Sequence, residues 1–211
     1  MTQTVSRPSA ELLQQAHGIS TATLHEAGGQ IGALPSGIKP VSPDWYICGA
    51  ALTVVSPPKD NLWLHRAIYQ AQKGDIMVVD TGSYWEAGYW GEIMTHAAIQ
   101  AGLGGLVIDG CARDGKILIE LGFPVFSRGL CIRGTGKDRD AYGAVNVPVR
   151  LGEIWVFPGD LVVGDGDGVC VVPQAKIADT IAKSKARDEK ESGIIQELKK
   201  GSRTVDIYGF N

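Results

Sequence analysis

The stretch GEIMTHAAIQAGLGGLVIDGCARD, residues 91–114, decides the fold that the sequence predicts. Within residues 92–101, apolar and small side chains recur at the spacing of a helix face. They are Ile93, Met94, Ala97, Ala98 and Ala101. A short glycine turn follows, and the apolar run at 106–109 is typical of a buried strand. Because alternating helices and buried strands build α/β folds, this stretch predicts a domain of that class.

The loop after this strand carries a fixed cation beside a carboxylate, Arg113 and Asp114. A guanidinium can hold a carboxylate through two parallel hydrogen bonds, and an aspartate is a hard oxygen ligand suited to Mg²⁺ or Mn²⁺. Ligands of open α/β sheets bind beyond the carboxyl ends of strands, and unpaired amides at a helix start, here those of Ile93 and Met94, attract anions. The arrangement predicts a site for a small 2-oxo acid. The alternative is a surface ion pair of Arg113 with Asp114 or Glu92.

Composition restricts the classes of protein to which the chain can belong. Its 211 residues are 44% hydrophobic and 20% charged, as in ordinary globular proteins. The net charge of −3 argues against the basic surface of a nucleic-acid-binding protein. The sequence has no apolar run long enough to cross a membrane, and its start lacks the apolar core of a signal peptide. We therefore expect a cytoplasmic enzyme or binding protein without nucleic-acid or membrane partners.

The remaining patterns predict one α/β domain, residues 1–211, with a mixed sheet and flanking helices. Apolar runs predict strands at 50–55, 75–80 and 124–127, and in NVPVRL, EIWVF, PGDLVVGD and GVCVVP. Helices are predicted after Ser9, after Ser20 or Thr21, from Asp60 to the glycine at 74, at 117–122 and, with many charges, at about 174–200. Residues 34–43 and the segment TGSYWEAGYWG are predicted to be loops.

Two histidines and one lysine are weaker candidates for a site. His65 can face a site, although a packing role is the simpler interpretation, and His96 suits a core or an interface. The GTGK run at 134–137 lacks the upstream glycine of a phosphate loop, which leaves Lys137 as an anion contact. The repeated Asp-Gly at 165–168 favours a hairpin turn over a calcium loop, because no glutamate closes such a loop.

The four cysteines do not form a metal-binding pattern. They contain no CxxC pair, so a zinc site is not expected. Three of them, Cys48, Cys131 and Cys170, lie in strand-like apolar runs. We expect buried free thiols.

Taken together, long segments of the chain resemble a family of enzymes. They are GAALTV, DNLWLHRAI, KGDIMVVD, WGEIMTHAAIQAGLGGLVIDGCARD, FPVFSRG, RGTGK, VNVPV and PGDLVVGDGDGVCVVP. In order and spacing they are similar to the class II, metal-dependent pyruvate aldolases that cleave 4-hydroxy-4-methyl-2-oxoglutarate and 4-carboxy-4-hydroxy-2-oxoadipate. That family shares its fold with the regulator of ribonuclease activity A. Its signature is an aspartate, twenty residues, then Arg-Asp; here Glu92 takes the first place and the gap to Arg113 is kept.

The resemblance implies a set of metal ligands. Asp114 would bind Mg²⁺ or Mn²⁺ directly, and Glu92 would orient a water on the metal. A glutamate from the C-terminal helix of a neighbouring subunit would complete the water shell, with Glu191 the first candidate and Glu189 the second. The glutamate at position 92 is one methylene longer than the family aspartate, which a contact through water can absorb.

The resemblance also implies how a substrate is held. Arg113 would bind the pyruvyl group and steady an enolate oxygen, while the amides after Gly91, on Ile93 and Met94, would hold the carboxylate. Asn61 stands where the family keeps an asparagine near the site.

The expected fold is therefore a swivelling β/β/α-type domain that forms homotrimers or hexamers, with the helix at about 174–200 at a subunit interface. The expected activity is metal-dependent retro-aldol cleavage of a 4-hydroxy-2-oxo diacid or triacid to pyruvate, with oxaloacetate decarboxylation as a side activity. Two alternatives stay open. One is a lyase or decarboxylase acting on another 2-oxo acid, and the other is a non-catalytic binding protein like the ribonuclease regulator.

Overall fold

One mixed sheet with helices packed around it forms the centre of the fold. The computed structural model describes residues 5–210. The strands are β1 (Lys39–Pro40), β2 (Ile47–Val55), β3 (Ile76–Asp80), β4 (Gly88–Trp90), β5 (Gly105–Ile108), β6 (Cys111–Ala112), β7 (Val125–Ser127), β8 (Ala144–Val145), β9 (Val149–Leu151), β10 (Ile154–Val156), β11 (Leu161–Asp165) and β12 (Gly168–Val172). The helices are α1 (Ala10–Ala16), α2 (Thr21–Ala27), α3 (Leu62–Ile68), α4 (Glu92–Ala101), α5 (Gly115–Leu121), α6 (Ile177–Lys199) and α7 (Thr204–Ile207), with a 3₁₀ turn at Gln174–Lys176 before α6.

The order of the strands places the start of α4 at an edge where parallel strands end. The large sheet runs β1-β7-β5-β3-β2-β11-β12, and β8 also pairs with β2. Strands β2, β3, β5 and β7 are mutually parallel and are connected through α3, α4 and α5, whereas the outer pairs are antiparallel. The predicted α/β class with a mixed sheet is therefore confirmed.

Several helix starts and one whole helix agree with the sequence prediction. Ser9 and Ser20 cap α1 and α2, because their hydroxyls accept the amides of Leu12 (3.2 Å) and Thr23 (3.1 Å). Helix α4 has the predicted bounds, and Gly102 ends it in the left-handed conformation with φ 79°. The long charged helix is present as α6.

Two predicted helix bounds are wrong. Helix α3 starts after Asp60 as expected but ends at Ile68, because the Asp75 carboxylate accepts the amide of Gln72 (2.8 Å) and turns the chain before the glycine at 74. Helix α5 starts at Gly115, earlier than predicted, because Asp114 precedes it in a left-handed conformation and its carbonyl accepts the amide of Leu118 (3.0 Å).

The two predicted loops each contain a short strand. Within residues 34–43, β1 pairs antiparallel with β7 at the edge of the sheet, where Pro40 loses no ladder hydrogen bond. Within TGSYWEAGYWG, β4 pairs in parallel with β6, because the buried side chains of Tyr89 and Trp90 tie it to the core. Conversely, only the last three residues of NVPVRL form a strand, β9, because Asn146 adopts a φ of 59° and turns the chain after β8.

Three smaller expectations are also settled. Asp165 closes the hairpin between β11 and β12, where its carboxylate accepts the amide of Asp167 (3.0 Å), as a turn rather than a calcium loop requires. All four cysteines are free, but Cys131 lies outside the strands and, like Cys48, is only partly buried. Among residues 5–210, no helix is long and apolar enough to cross a membrane.

Candidate active site

A cavity of about 260 Å³ opens beside the start of α4, beyond the carboxyl end of β5 and β6. It contains every residue that the sequence analysis placed in the substrate site, together with the direct metal ligand. These are Asn61, Gly91, Glu92, Ile93, Met94, Arg113, Asp114 and Lys137. Residues that lie up to 76 positions apart in the chain thus line one cavity, and the Arg113–Asp114 pair is part of its wall.

Asp114 occupies a constrained position at the wall of this cavity. Its φ of 59° is in the left-handed region, which aspartate and asparagine tolerate better than most residues. One carboxylate oxygen, Oδ2, accepts the backbone amide of Glu92 at 3.0 Å and lies 3.5 Å from Nε of Arg113. The side chain remains 32% exposed. The predicted surface ion pair therefore exists, and its carboxylate is at the same time part of the cavity wall.

Arg113 is held through its backbone while the end of its side chain stays available. Its amide donates to the carbonyl of Trp90 at 2.8 Å, which fixes the loop to β4. The guanidinium has an Nε–Oδ2 contact of 3.5 Å with Asp114, and its two terminal amino groups donate no hydrogen bond within the part of the chain that the structure describes. Those two groups are the ones that form a two-point contact with a carboxylate or an enolate oxygen.

Gly91 is required by close packing at the helix start. A Cβ at this position would overlap the Asp114 carboxylate and touch the Arg113 side chain. Gly91 is the N-cap of α4 and has no capping side chain of its own. Its carbonyl instead accepts the hydroxyl of Thr95 (3.0 Å), which in turn accepts the indole N–H of Trp90 (2.8 Å). The absence of a side chain lets the carboxylate of Asp114 come up to the first amide of the helix.

The next amides of α4 are free to bind an anion. In the described residues, the amides of Ile93 and Met94 have no protein acceptor, as is normal in a first helical turn. The helix dipole favours negative charge at this end. Ile93, one of the apolar residues at helical spacing, is 76% exposed, and the buried face of α4 consists of Met94, Thr95 and Ala98. His96 is likewise exposed and not part of the core.

The end of the cavity opposite the start of α4 is lined by an amide side chain, Asn61, and an ammonium group, Lys137. The Asn61 amide nitrogen donates to the Tyr89 carbonyl (2.9 Å) and lies 3.4 Å from Sδ of Met94. Its oxygen Oδ1 is buried and has no partner among the residues that the structure describes. Lys137 is exposed, and no carboxylate of residues 5–210 lies within ion-pair distance of its ammonium.

His65 is the site residue that sequence reasoning undervalued. It lines the cavity next to Lys137. Burial lowers the pKa of its imidazole, and the nearby positive charge of Lys137 lowers it further, against the opposing effect of Asp60. His65 is therefore neutral at pH 7 and can both donate and accept a hydrogen bond. Its position four residues after Asn61, on the same helix face, was the available signal.

Glu189 and Glu191 do not line this cavity within one chain. Glu191 instead pairs with Arg187 on α6 at 2.8 Å, and Arg187 also contacts Glu26 on α2. A contribution of either glutamate from a neighbouring subunit stays a prediction.

The carboxylates of the cavity fit a weakly coordinated divalent cation. Within residues 5–210, no group of three or more metal-ligating side chains exists. Asp114 offers one oxygen, Oδ1, that accepts no hydrogen bond from residues 5–210, and Glu92 lines the same cavity. Mg²⁺ commonly binds proteins through one or two carboxylates and keeps several waters. The donor set therefore suits Mg²⁺ or Mn²⁺ and does not suit a closed zinc site.

Comparisons with known proteins agree with this architecture. A family model described as RraA-like, Aldolase/RraA, matches residues 13–171. A Halalkalibacterium halodurans protein named "Putative 4-hydroxy-4-methyl-2-oxoglutarate aldolase" is 33% identical over 204 residues, 97% of this chain and 96% of the relative. The crystal structure of an uncharacterized Pseudomonas syringae protein has a TM-score of 0.81 and 33% identity, covering 94% of this chain and 96% of that one.

A second solved structure is also similar to this chain. Streptomyces coelicolor RraAS2, described as an unusual member of the RNase ES inhibitor RraA protein family, has a TM-score of 0.76 and 28% identity. The alignment covers 92% of this chain and 100% of RraAS2. Since the family model spans most of the sequence and a relative of matching length is one-third identical, the chain belongs to the RraA-like family, Aldolase/RraA.

Proposed function

We propose that this protein is a metal-dependent aldolase that cleaves a 4-hydroxy-2-oxo diacid or triacid and releases pyruvate. The substrates that the proposal names are 4-hydroxy-4-methyl-2-oxoglutarate and 4-carboxy-4-hydroxy-2-oxoadipate. One observation carries it: the free end of the Arg113 guanidinium, the Asp114 carboxylate and the open amides of α4 face the same cavity. The name of the Halalkalibacterium relative supports an aldolase in general.

Asp114 would hold the divalent cation directly, and Glu92 would hold it through water. A carboxylate from a neighbouring subunit, Glu191 or Glu189, would complete the shell. When bound, the cation would act as a Lewis acid on the keto group of the substrate.

The chain's own groups account for the orientation of the 2-oxo acid. The amides of Ile93 and Met94 receive its C1 carboxylate at the positive end of the helix dipole. The terminal amino groups of Arg113 face the C2 oxygen. As the C3–C4 bond breaks, its electron pair moves toward C3 and negative charge develops on that oxygen. A fixed cation already in place stabilises this charge without reorganisation.

Glu92 is the residue that transfers protons in this proposal. Its carboxylate accepts the proton of the C4 hydroxyl through an intervening water, so that the C4–O bond becomes a carbonyl as C3–C4 breaks. The same proton returns to C3 to give pyruvate. The side chain at this position is one methylene longer than the family aspartate, and a contact through water can absorb that difference.

Asn61, His65 and Lys137 line the end of the cavity opposite the start of α4, which we call the distal end. These groups select the part of the substrate beyond C4. Lys137 carries a charge that no described carboxylate neutralises, and it meets the second carboxylate of the substrate. Neutral His65 and the unpartnered Oδ1 of Asn61 are hydrogen-bonding groups for the C4 hydroxyl or that carboxylate. Oxaloacetate decarboxylation would pass through the same enolate, so we expect it as a side activity.

The test is a release assay for pyruvate across a panel of 2-oxo acids. The panel contains the two named substrates, oxaloacetate and 4-hydroxy-2-oxopentanoate, which corresponds to 4-hydroxy-4-methyl-2-oxoglutarate with hydrogen in place of the distal carboxylate. We expect pyruvate from the diacid and triacid with Mg²⁺ or Mn²⁺, less from the monoacid, and none after chelation. Cleavage of a different 2-oxo acid alone would support the related lyase instead, and no pyruvate from any compound would contradict the aldolase.

A second function, inhibition of a ribonuclease, is favoured by the similarity to RraAS2 alone. A pure binding protein has no need of an unpaired guanidinium end beside a carboxylate in a cavity. Added in excess to an RNase E-type cleavage assay, the protein is expected to leave the cleavage rate unchanged. Inhibition that survives in an Asp114→Asn variant would favour the regulator.

A further inference from the structure

The loop that carries Lys137 is fastened to the start of α3 by a single buried carboxylate. Asp60 has only 5% of its surface exposed. One of its oxygens, Oδ1, accepts the amide of Leu62 at 2.8 Å, and the other, Oδ2, accepts the amide of Asp138 at 2.6 Å. Each oxygen therefore holds one backbone segment, the first turn of the helix on one side and the loop on the other.

Backbone hydrogen bonds complete this attachment on the other side of Lys137. The amide of Gly136 donates to the carbonyl of Lys59 at 2.7 Å, and the amide of Asn61 donates to the carbonyl of Gly136 at 3.3 Å. The residues immediately before and after Lys137 are thus both tied to residues 59–61. This short segment also supplies Asn61 to the cavity, so both sides of the distal end depend on one junction.

The carboxylate of Asp60 fixes the loop without neutralising its lysine. No ion pair between Asp60 and Lys137 lies within 4 Å in the described chain, because both carboxylate oxygens face backbone amides. A lysine side chain loses considerable rotational freedom when it is immobilised on a ligand. Because the backbone around Lys137 is already held in place, less conformational entropy is lost when an anion binds to the side chain.

We infer that Asp60 is a positioning residue that sets Lys137 at the distal end of the cavity and so creates the preference for a second carboxylate. The identity of the substrate in this inference rests on the proposed function. The attachment of the loop does not, and it can be measured without any ligand.

Asp160 provides a matched control. It is also a buried aspartate, 3% exposed, and each of its oxygens also accepts one backbone amide, from Phe157 (2.9 Å) and from Gln174 (3.1 Å). Neither of these segments lines the cavity. Replacing Asp160 therefore removes the same kind of bonds and costs stability, but leaves the site intact.

The first measurement is amide hydrogen exchange of residues 134–138 in the wild type, Asp60→Ala and Asp160→Ala. We expect faster exchange in this segment for Asp60→Ala only. If Asp60→Ala does not fold, Asp60→Asn replaces it, because the amide oxygen keeps one of the two acceptor contacts. Unchanged exchange, or equal acceleration in the Asp160 variant, would overturn the inference.

The second measurement compares the binding of 2-oxoglutarate and 2-oxopentanoate by calorimetry in the presence of Mg²⁺. The two acids differ only in the distal carboxylate. We expect the wild type to bind 2-oxoglutarate more tightly than 2-oxopentanoate. In Asp60→Ala the ratio of the two dissociation constants should fall about tenfold, which is in the range for residues that support a ligand-binding group. Because Asp60 acts through Lys137, the double variant with Lys137→Ala should discriminate no worse than Lys137→Ala alone.

The outcomes separate this inference from the proposed reaction. A wild type that prefers 2-oxoglutarate but releases no pyruvate would refute the aldolase and leave the role of Asp60 standing. Additive losses in the double variant, or a preference that Asp60→Ala retains in full, would overturn the positioning role even if the enzyme is an aldolase.

Discussion

The Asp114 carboxylate accepts the backbone amide of Glu92, with 3.0 Å between Oδ2 and the nitrogen. This bond connects the loop after β6 to the first turn of α4, although the two residues lie 22 positions apart. It uses one oxygen of Asp114 and leaves the other for a ligand. The same geometry brings Arg113, a helix N-terminus and two carboxylates to one cavity.

Replacing Asp114 by asparagine should abolish metal binding while the fold remains intact. Asparagine tolerates the left-handed conformation of this residue, and its amide oxygen can still accept the Glu92 amide. The negative charge that a divalent cation needs is lost. Calorimetric titration with Mn²⁺ and the pyruvate assay measure the effect, and thermal unfolding controls for the fold. Near-wild-type turnover in Mg²⁺ would mean that Asp114 is not the metal ligand.

Arg113→Lys should lower kcat by about 100-fold although the charge is kept. An ammonium group cannot reproduce the planar two-point contact of the guanidinium, and removal of one preorganised donor to a developing oxyanion has an effect of roughly this size. Steady-state kinetics with the best substrate of the panel gives the value. Full activity in this variant would assign Arg113 a structural role.

Two glycines of the cavity wall should respond differently to a methyl group. At Gly91 the added Cβ overlaps the Asp114 carboxylate, whereas at Gly134 nothing lies within 4 Å. We expect Gly91→Ala to weaken both Mn²⁺ binding and turnover, and Gly134→Ala to change neither. Both variants are compared by the same titration and assay. Equal behaviour of the two would show that the Gly91–Asp114 contact has no part in the site.

Asp80→Asn should stabilise the protein at neutral pH. Burial raises the pKa of the Asp80 carboxyl, and the charge of Asp109 raises it further. The ionised group therefore lowers the free energy of unfolding at pH 7, and this penalty disappears as the pH falls below the unfolded value of about 3.9. Asparagine can still accept the amide of Gly82.

We expect a modest rise in Tm at pH 7, because Asp80 is only partly buried and solvent screens its charge. The difference from the wild type should narrow at pH 4. Thermal unfolding followed by circular dichroism measures both values. A variant that is less stable than the wild type at pH 7 would contradict the assignment.

Glu191→Ala tests whether subunits share the site. Within one chain this change removes only an exposed ion pair with Arg187, which contributes little to stability. If the glutamate completes a neighbour's site, turnover should fall about 10- to 100-fold. Subunit exchange with Arg113→Ala should then restore part of the activity, since some interfaces hold both intact residues. Exchanged mixtures without any recovery would exclude Glu191 and direct the same test to Glu189.

Local signals were enough to predict those elements whose cause is local. Helix α4 was predicted with its bounds because its small residues, and the glycine that ends it, act within a few positions. Strands β1 and β4 were missed because each forms only through a distant partner, β7 and β6 respectively. Helix α3 was predicted too long because the contact that ends it comes from Asp75, outside the helix pattern.

The same distinction between local and distant causes applies to the residues of the site. The Arg113–Asp114 pair and the start of α4 follow from spacing, since a strand end and a helix start meet at one edge of the sheet. Asn61 came from the family resemblance and Lys137 from the GTGK run, and no local pattern connects these two residues with Arg113 and Asp114, because they lie far apart in the chain. His65 was undervalued since its importance depends on the loop at 134–138, which only the fold places over α3. A residue from a second subunit leaves no signal in the pattern of one chain.

The most direct test of the central claim is proton exchange at C3 of pyruvate. The wild type is incubated with pyruvate and Mg²⁺ in D₂O, and the methyl signal is followed by NMR. Because the exchange requires enolate formation but no group beyond C3, it does not depend on the identity of the full substrate. We expect the methyl protons to exchange in the wild type, and not after chelation or in Asp114→Asn. A folded wild-type protein that leaves the methyl signal unchanged with Mg²⁺ and with Mn²⁺ would contradict the account.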